Sequence, residues 1–354
     1  MKENIAKQYD YITCHHTNVE IRVARSETSD YAVLKQLIKQ QGLLEKQPKY
    51  YTYKILFSLF LLGGGIEFLL LVNNFWLQLL DAIFLAFACG QVAFVCHDSG
   101  HRQIFHATRK NDLLFLLQAN ILLGMSYAWW LSTHNAHHSH PNELDMDPDI
   151  SIPALCYSEE EARNRRGLWR FLAKYQAFFF FPFTLLVSIE FQRSSILFLM
   201  KHRVKYRLIE VSLLLLHYVL YFWLIFSLLN LWQSIVFILV HQAFLGLYLG
   251  TTFAPNHKGM PILEKNSGLD FLRRQVLTAR NIVSHPIVDF CYAGLNYQVE
   301  HHLFPSMPRN NLKKAQRIIR GYCKEHSIIY YETSVLRSYR EILSFLHAVG
   351  APLR

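Results

Sequence analysis

Three histidine clusters stand out in the sequence. His97-Asp98-Ser99-Gly100-His101 reads HxxxH, His134-Asn135-Ala136-His137-His138 reads HxxHH, and Gln298-Val299-Glu300-His301-His302 reads QxxHH. Neutral imidazole is the commonest protein metal ligand. Residues four apart on a helix share a face, so His97 and His101 can point into one space, as can His134, His137 and His138. Adjacent residues diverge by about 100° on a helix, so His301 and His302 can each serve a different ion. Seven imidazoles exceed what one tetrahedral zinc accepts and suit two metal ions. Imidazole takes zinc, copper, iron or nickel, so the donors alone do not name the metal. His257, in Pro255-Asn256-His257, is a further candidate ligand.

A lone HxxxH is more often a polar helix face than a metal site; the three clusters in this order carry the reading. Asp98, Asp145, Asp147 and Glu300 could orient the rings from behind, as bound imidazoles require. His106 and His140 lie near the clusters but off their pattern, which suits supporting or surface roles. His217 and His241 sit inside apolar stretches, where hydrogen bonding between helices is expected; Glu67 and Asp81 are read in the same way. His15, His16, His202, His285, His326 and His347 have no partner pattern and are expected at the surface.

The elements that position these clusters are apolar helices. From Ile55 to His97 only Glu67 and Asp81 are charged, and from Val211 to His257 there is no Asp, Glu, Lys or Arg. A membrane span needs about 20 apolar residues to cross about 30 Å of hydrocarbon, so each block holds two. Asn73-Asn74 and Asn230 divide them, giving spans near 55–72, 75–95, 211–229 and 231–253. Neither short turn carries Lys or Arg. The basic residues, Arg102 and Arg109, Arg163 to Arg170, Lys201 to Arg207, Arg273 and Arg274 among them, lie on the other side, which is therefore cytoplasmic. Leu113–Leu131 and Tyr175–Phe191 are also long enough to cross. If they did, the histidine clusters would fall on opposite faces, so both are expected to be interfacial or re-entrant. The expected fold is all-α and integral to the membrane. It has four spans in two hairpins, a cytosolic segment 1–50, and a cytosolic helical cap of 97–207 and 257–354 within one unit, 51–354. Tyr31 to Lys46 is expected to form an amphipathic helix at the membrane surface. Leu312, Ala315, Ile318, Ile319 and Tyr322 mark another, starting just after Pro308 and Asn310.

Composition agrees. Charged residues make up 18%, against about 25% in soluble domains, and the mean hydropathy is positive. The net charge of +10 sits between apolar runs rather than on a polar fold, which suits anionic headgroups and not nucleic acid. Cys14, Cys89, Cys96, Cys156, Cys291 and Cys323 form no CxxC pair, and reduced buried thiols are expected. No signal peptide and no internal repeat is visible.

The longer strings resemble a known family. Gly100-His101-Arg102-Gln103, His134 to Asn142 (HNAHHSHPN), Asp147-Pro148-Asp149 and Leu295 to Pro305 (LNYQVEHHLFP) are similar to the membrane fatty acid desaturases, in the branch with front-end and bacterial acyl desaturases. The resemblance spans roughly residues 30 to 345. It implies a cytosolic centre of two iron ions held by His97, His101, His134, His137, His138, His301 and His302, with His257 completing the set. It also implies O₂ reduction with removal of two hydrogens from adjacent methylenes of a fatty acyl chain, carried as a CoA ester or in a glycerolipid. Gln298 stands where other branches have histidine. Many front-end members carry a fused cytochrome b5 domain with a His-Pro-Gly-Gly motif; its absence here implies an external donor, a ferredoxin or a cytochrome b5-type protein.

Cleaving an unactivated C–H bond is beyond side-chain acids and bases, so a metal must carry it. The protein then supplies ligands, positions the chain and excludes water. Ile121–Trp130 and Phe178–Phe183 are candidates to line a substrate tunnel. A related hydroxylase or sphingolipid-modifying enzyme is the alternative within this chemistry. A metal transporter would need histidines along the spans; here they cluster at the ends.

Overall fold

The computed structural model describes residues 29–265 and 267–354, so Cys14, His15 and His16 lie outside the described residues. The described residues are helical almost throughout. In chain order the first elements are α1 (Asp30–Gln40), α2 (Pro48–Leu71) and α3 (Phe75–Gly100). Next come α4 (Thr108–Phe115), which runs on as a π-helical segment Leu116–Leu122, and α5 (Tyr127–Ser139). Then follow α6 (Glu159–Asn164), α7 (Gly167–Lys174), α8 (Gln176–Thr184) and α9 (Val187–Lys201). The long pair α10 (Arg207–Leu228) and α11 (Leu231–His257) precedes α12 (Phe271–Leu277), α13 (Pro286–Cys291), α14 (Gln298–Leu303), α15 (Arg309–Glu325) and α16 (Val335–Val349). One short parallel pair, β1 (Asn281–Ile282) on β2 (Glu332–Thr333), completes the order.

Among the described residues four single helices, α2, α3, α10 and α11, are long and apolar enough to cross a membrane, and two bent helix pairs would bring the number to six if each counted as one span. The asparagines read as turn residues are N-caps. The Asn74 side chain accepts from the backbone N–H of Trp76 and Leu77 at 3.1 Å each, and Asn230 forms a reciprocal capping box with Gln233. Each cap satisfies donors left free at a helix start. The helices outrun the apolar stretches: α3 reaches Gly100 rather than 95, and α11 reaches His257 rather than 253. A helix ends where its hydrogen bonds end, not where its hydropathy falls.

The four are not equivalent. In α3, 72% of the apolar window is buried, against 17% in α10. The central helix is therefore α3, packed on α2 and α11. The outward residues of α2 and α10, such as Phe60, Leu71, Leu215 and Trp223, are exposed and apolar, as a face against lipid tails must be. Phe75 and Trp232, at the starts of α3 and α11, meet edge to face at 4.7 Å. The two helices thus run in the same direction, and their histidine-bearing ends lie together.

The two ambiguous stretches are broken helices. Residues 108–122 and 127–139 are bent by 112°, and 176–184 and 187–201 by 73°. Gly124, at φ +67°, makes the first turn; a Cβ there would lie 2.7 Å from the His217 ring. The second break lies against Gly246 of α11, where a Cβ would come within 2.7 Å of the Leu185 carbonyl oxygen.

The first amphipathic helix departs from expectation. Leu34 and Ile38 of α1 pack on Leu272, Leu312 and Ile319, so the stripe expected to face the membrane is used inside the protein. Asn310 lies within α15 rather than ahead of it. Of the aromatic run expected along a tunnel, Phe178 is 75% exposed, whereas Phe180 is buried with Ile342 and Leu346. Trp130 lies at the histidines, its ring stacked on His134 at 4.4 Å.

Candidate metal centre

The end of α3 brings His97 inward with His101 just beyond its last turn. Helix α5 presents His134, His137 and His138, the end of α11 presents His257, and the short α14 presents His301 and His302. These four stretches converge on one buried volume. Ring nitrogens of His97, His101, His134 and His301 lie within 4.8 Å of one another, and so do those of His137, His257 and His302. Adjacent His301 and His302 thus belong to different groups, as their divergence on a helix requires. His138 lies between them: its Nε2 is 3.1 Å from His134 Nε2, and its ring stacks on His302 at 4.2 Å.

The outward nitrogens are tethered. His137 Nδ1 lies 3.0 Å from both Asp147 oxygens, and His97 Nδ1 lies 3.3 Å from Asp98. His257 Nδ1 meets the Thr278 carbonyl at 3.1 Å, and His302 Nδ1 the Gln275 Oε1 at 2.8 Å. Each tether turns the opposite ring nitrogen towards the shared volume, the arrangement that orients metal-bound imidazoles. Asp98 is itself paired with buried Arg309 at 2.5 Å.

The residues present fit a metal centre. His301 Nδ1 and Nε2, His302 Nε2 and His138 Nδ1 are buried without a hydrogen-bond partner among the described residues. Buried polar atoms are rarely left so, and a cation that accepts lone pairs satisfies them. Burial, then the neighbouring rings, hold His101, His134, His138, His301 and His302 well below the ordinary imidazole range. They are therefore neutral and able to ligate. His137 differs: burial pushes it down, but the Asp149 and Asp147 carboxylates outweigh that and raise it.

Of the carboxylates expected behind the rings, Asp98 and Asp147 are in place. Asp145 is exposed. Glu300 faces away, bound by Asn281 Nδ2 at 2.6 Å and the Tyr330 hydroxyl at 2.7 Å, and burial raises its carboxyl to about 7. His140 pairs with Glu143 at 2.9 Å, and His106 is exposed. His202, His285, His326 and His347 are exposed as expected. His217 bonds the Ile121 carbonyl at 2.7 Å and His241 the Tyr221 hydroxyl at 3.0 Å, the interhelical bonds foreseen. The Gln298 amide nitrogen lies 3.0 Å from His257 Nε2, at the rim of the second group. Gln275 and Thr278 were not foreseen; as isolated polar residues of a seven-residue helix and its cap they carry no motif. Cys89, Cys96, Cys156 and Cys323 are free and buried, and Cys291 is free and partly buried.

Residues 74–334 match the family model described as fatty acid desaturase. The chain belongs to the fatty acid desaturase family. It is similar to the acyl-lipid (9-3)-desaturase of Physcomitrium patens, 29% identical over 91% of this chain and 62% of that protein. It is also similar to the Delta(8)-fatty-acid desaturase of Borago officinalis, 30% identical over 87% of this chain and 72% of that protein. A Delta(6)-fatty-acid desaturase of Caenorhabditis elegans is 25% identical over 93% of this chain and 77% of its own length. The chain thus spans somewhat under two thirds of the moss protein and about three quarters of the other two. Membership makes this desaturase a membrane oxidoreductase of fatty acyl chains. The family is metal-dependent and needs an electron donor, and the histidine groups are where a metal could be held.

Proposed function

We propose that this desaturase inserts a cis double bond into a fatty acyl chain at a di-iron centre held by eight histidines. His97, His101, His134 and His301 serve one ion, and His137, His257 and His302 the other, with His138 between them. The observation that carries the reading is the convergence of two groups of imidazole ring nitrogens, each within 4.8 Å, from four distant stretches of chain. The bound iron pair supplies O₂ reduction: O₂ takes two hydrogens from adjacent methylenes and two electrons with two protons from a donor, leaving as two waters.

The protein's own part is binding and orientation. Asp98, Asp147, Thr278 and Gln275 fix the ring tilts, so ligand geometry is set before the substrate arrives. Trp130, beside His97, His101 and His134, walls the centre with an apolar face that excludes water from the reacting methylenes. The relatives' names, Delta(6), Delta(8) and (9-3), support a front-end position for the new bond. The acyl chain is carried as a CoA ester or in a glycerolipid, and electrons come from a ferredoxin or a cytochrome b5-type donor. The enzyme crosses the membrane four times in two hairpins within residues 51–354, with both termini and the centre on the cytoplasmic side; the basic residues clustered opposite the two short turns support this orientation.

Expression in a desaturase-deficient host, followed by fatty-acid profiling, tests the reading. A new unsaturated acyl species two mass units below its precursor is expected. An unchanged profile despite good membrane accumulation sinks the proposal, and a product heavier by one oxygen replaces it with hydroxylation.

A further inference from the structure

Helix α10 faces mostly outward, yet two titratable side chains point in. Glu210 is 0% exposed and His217 is 7% exposed. They are two turns apart, on the buried stripe that includes Leu214. Both reach the 112° break that precedes α5, from opposite sides. The His217 Nδ1 meets the Ile121 carbonyl before the turn at 2.7 Å. Glu210 Oε2 accepts from the Ser126 hydroxyl at 2.6 Å, the Ala128 N–H at 3.2 Å and the Asn120 amide at 3.4 Å.

No Lys or Arg pairs with Glu210 among the described residues. A buried carboxylate without a cation is costly unless hydrogen bonds and dipoles compensate. Here two helix starts converge on it: it lies in the first turn of α10 and faces the first turn of α5, whose positive ends stabilise an anion. Ser126 also caps α5, accepting from the Trp129 N–H at 3.1 Å. The carboxylate therefore holds the residue that starts the helix carrying His134, His137 and His138. His137 lies about 15 Å along that helix from its start at about 1.5 Å per residue. A tilt of about 5° there moves the ring by about 1 Å, well beyond the roughly 0.2 Å that a metal site tolerates.

We propose that Glu210 and His217 are positioning residues, which clamp the break between residues 122 and 127 and so aim the second histidine cluster at the metal ions. The inference rests on the di-iron reading above. Purified full-length wild type and Glu210→Ala, Glu210→Gln, Ser126→Ala and His217→Ala variants test it. Two quantities are measured: iron per chain at a fixed free iron concentration, and the rise in Tm that iron gives over chelated protein. Glu210→Ala is expected to bind iron about tenfold more weakly, as supporting residues of metal sites do, and to lose most of the iron-dependent rise. Glu210→Gln, which keeps an acceptor oxygen, should recover part, while Ser126→Ala and His217→Ala move in the same direction. A merely structural role lowers the iron-loaded and chelated midpoints together and leaves the rise intact; that result overturns the proposal. If Glu210→Ala does not accumulate, the other variants decide on the same criterion. Wild type without stoichiometric iron overturns the di-iron reading and this inference with it. Iron-replete wild type with unaffected variants overturns this inference alone.

Discussion

Gln275 Oε1 lies 2.8 Å from His302 Nδ1, and the Gln275 amide nitrogen donates to the His138 backbone carbonyl at 2.8 Å. One amide therefore ties the second histidine cluster to the third. Replacing it with Leu frees the His302 ring to rotate and leaves the His138 carbonyl unanswered. Gln275→Leu should weaken metal binding by about 10- to 100-fold, measured by iron retention against a chelator series, with normal membrane accumulation.

His137→Ala is expected to abolish desaturation while the protein stays in the membrane. His257→Ala should do the same, though it lies outside the three clusters. Fatty-acid profiling with iron analysis reads both, and full activity in either variant removes that residue from the ligand set.

Asp147 accepts from the Asn142 and Asp149 N–H groups as well as holding His137. In Asp147→Asn, one of its two oxygens becomes an amide nitrogen that cannot accept, so one of these three contacts is lost. Activity should fall by about 10- to 100-fold through kcat more than KM, because Asp147 is fully buried behind the His137 ring.

The buried pair of Asp98 and Arg309 gives a stability test. Arg309→Met leaves an unpaired buried carboxylate and should destabilise by about 3–5 kcal/mol. Adding Asp98→Asn should restore much of that stability but not the activity, since His97 loses its anionic partner. Thermal unfolding and turnover of the single and double variants separate the two roles.

Gly246 admits the broken segment at residues 185–186 to within contact of α11. Gly246→Val forces the backbones apart and should cost about 1–3 kcal/mol, seen as a lowered Tm and reduced accumulation.

The histidine clusters could be read from sequence because each is short, and helical periodicity alone places its rings together. Asn74 and Asn230 were legible as breaks, since a polar pair or single asparagine in an apolar run has few other uses. Gln275 and Thr278 were not, because their partners, His302 and His257, lie 27 and 21 residues away and only the tertiary fold joins them. Glu210 was hidden differently. Hydropathy set the span to begin at Val211, one residue past Glu210, so this carboxyl carried no signal, whereas it is buried within the first turn of α10. The aromatic run at 178–183 had no period to sort its rings, so the sequence could not separate outward Phe178 from buried Phe180.

Pro255 lies within α11, two residues before His257, and has no N–H to give the Thr251 carbonyl one helical turn earlier. That oxygen is met instead by the Tyr339 hydroxyl of α16 at 2.6 Å, while Arg280 binds the Pro255 and Lys258 carbonyls at 2.5 Å each. The proline thus makes the helix that carries His257 dependent on a segment more than 80 residues downstream. During synthesis the end of α11 therefore waits for a partner that emerges more than 80 residues later, and removing Tyr339 would leave the Thr251 carbonyl, two turns before His257, without this hydroxyl.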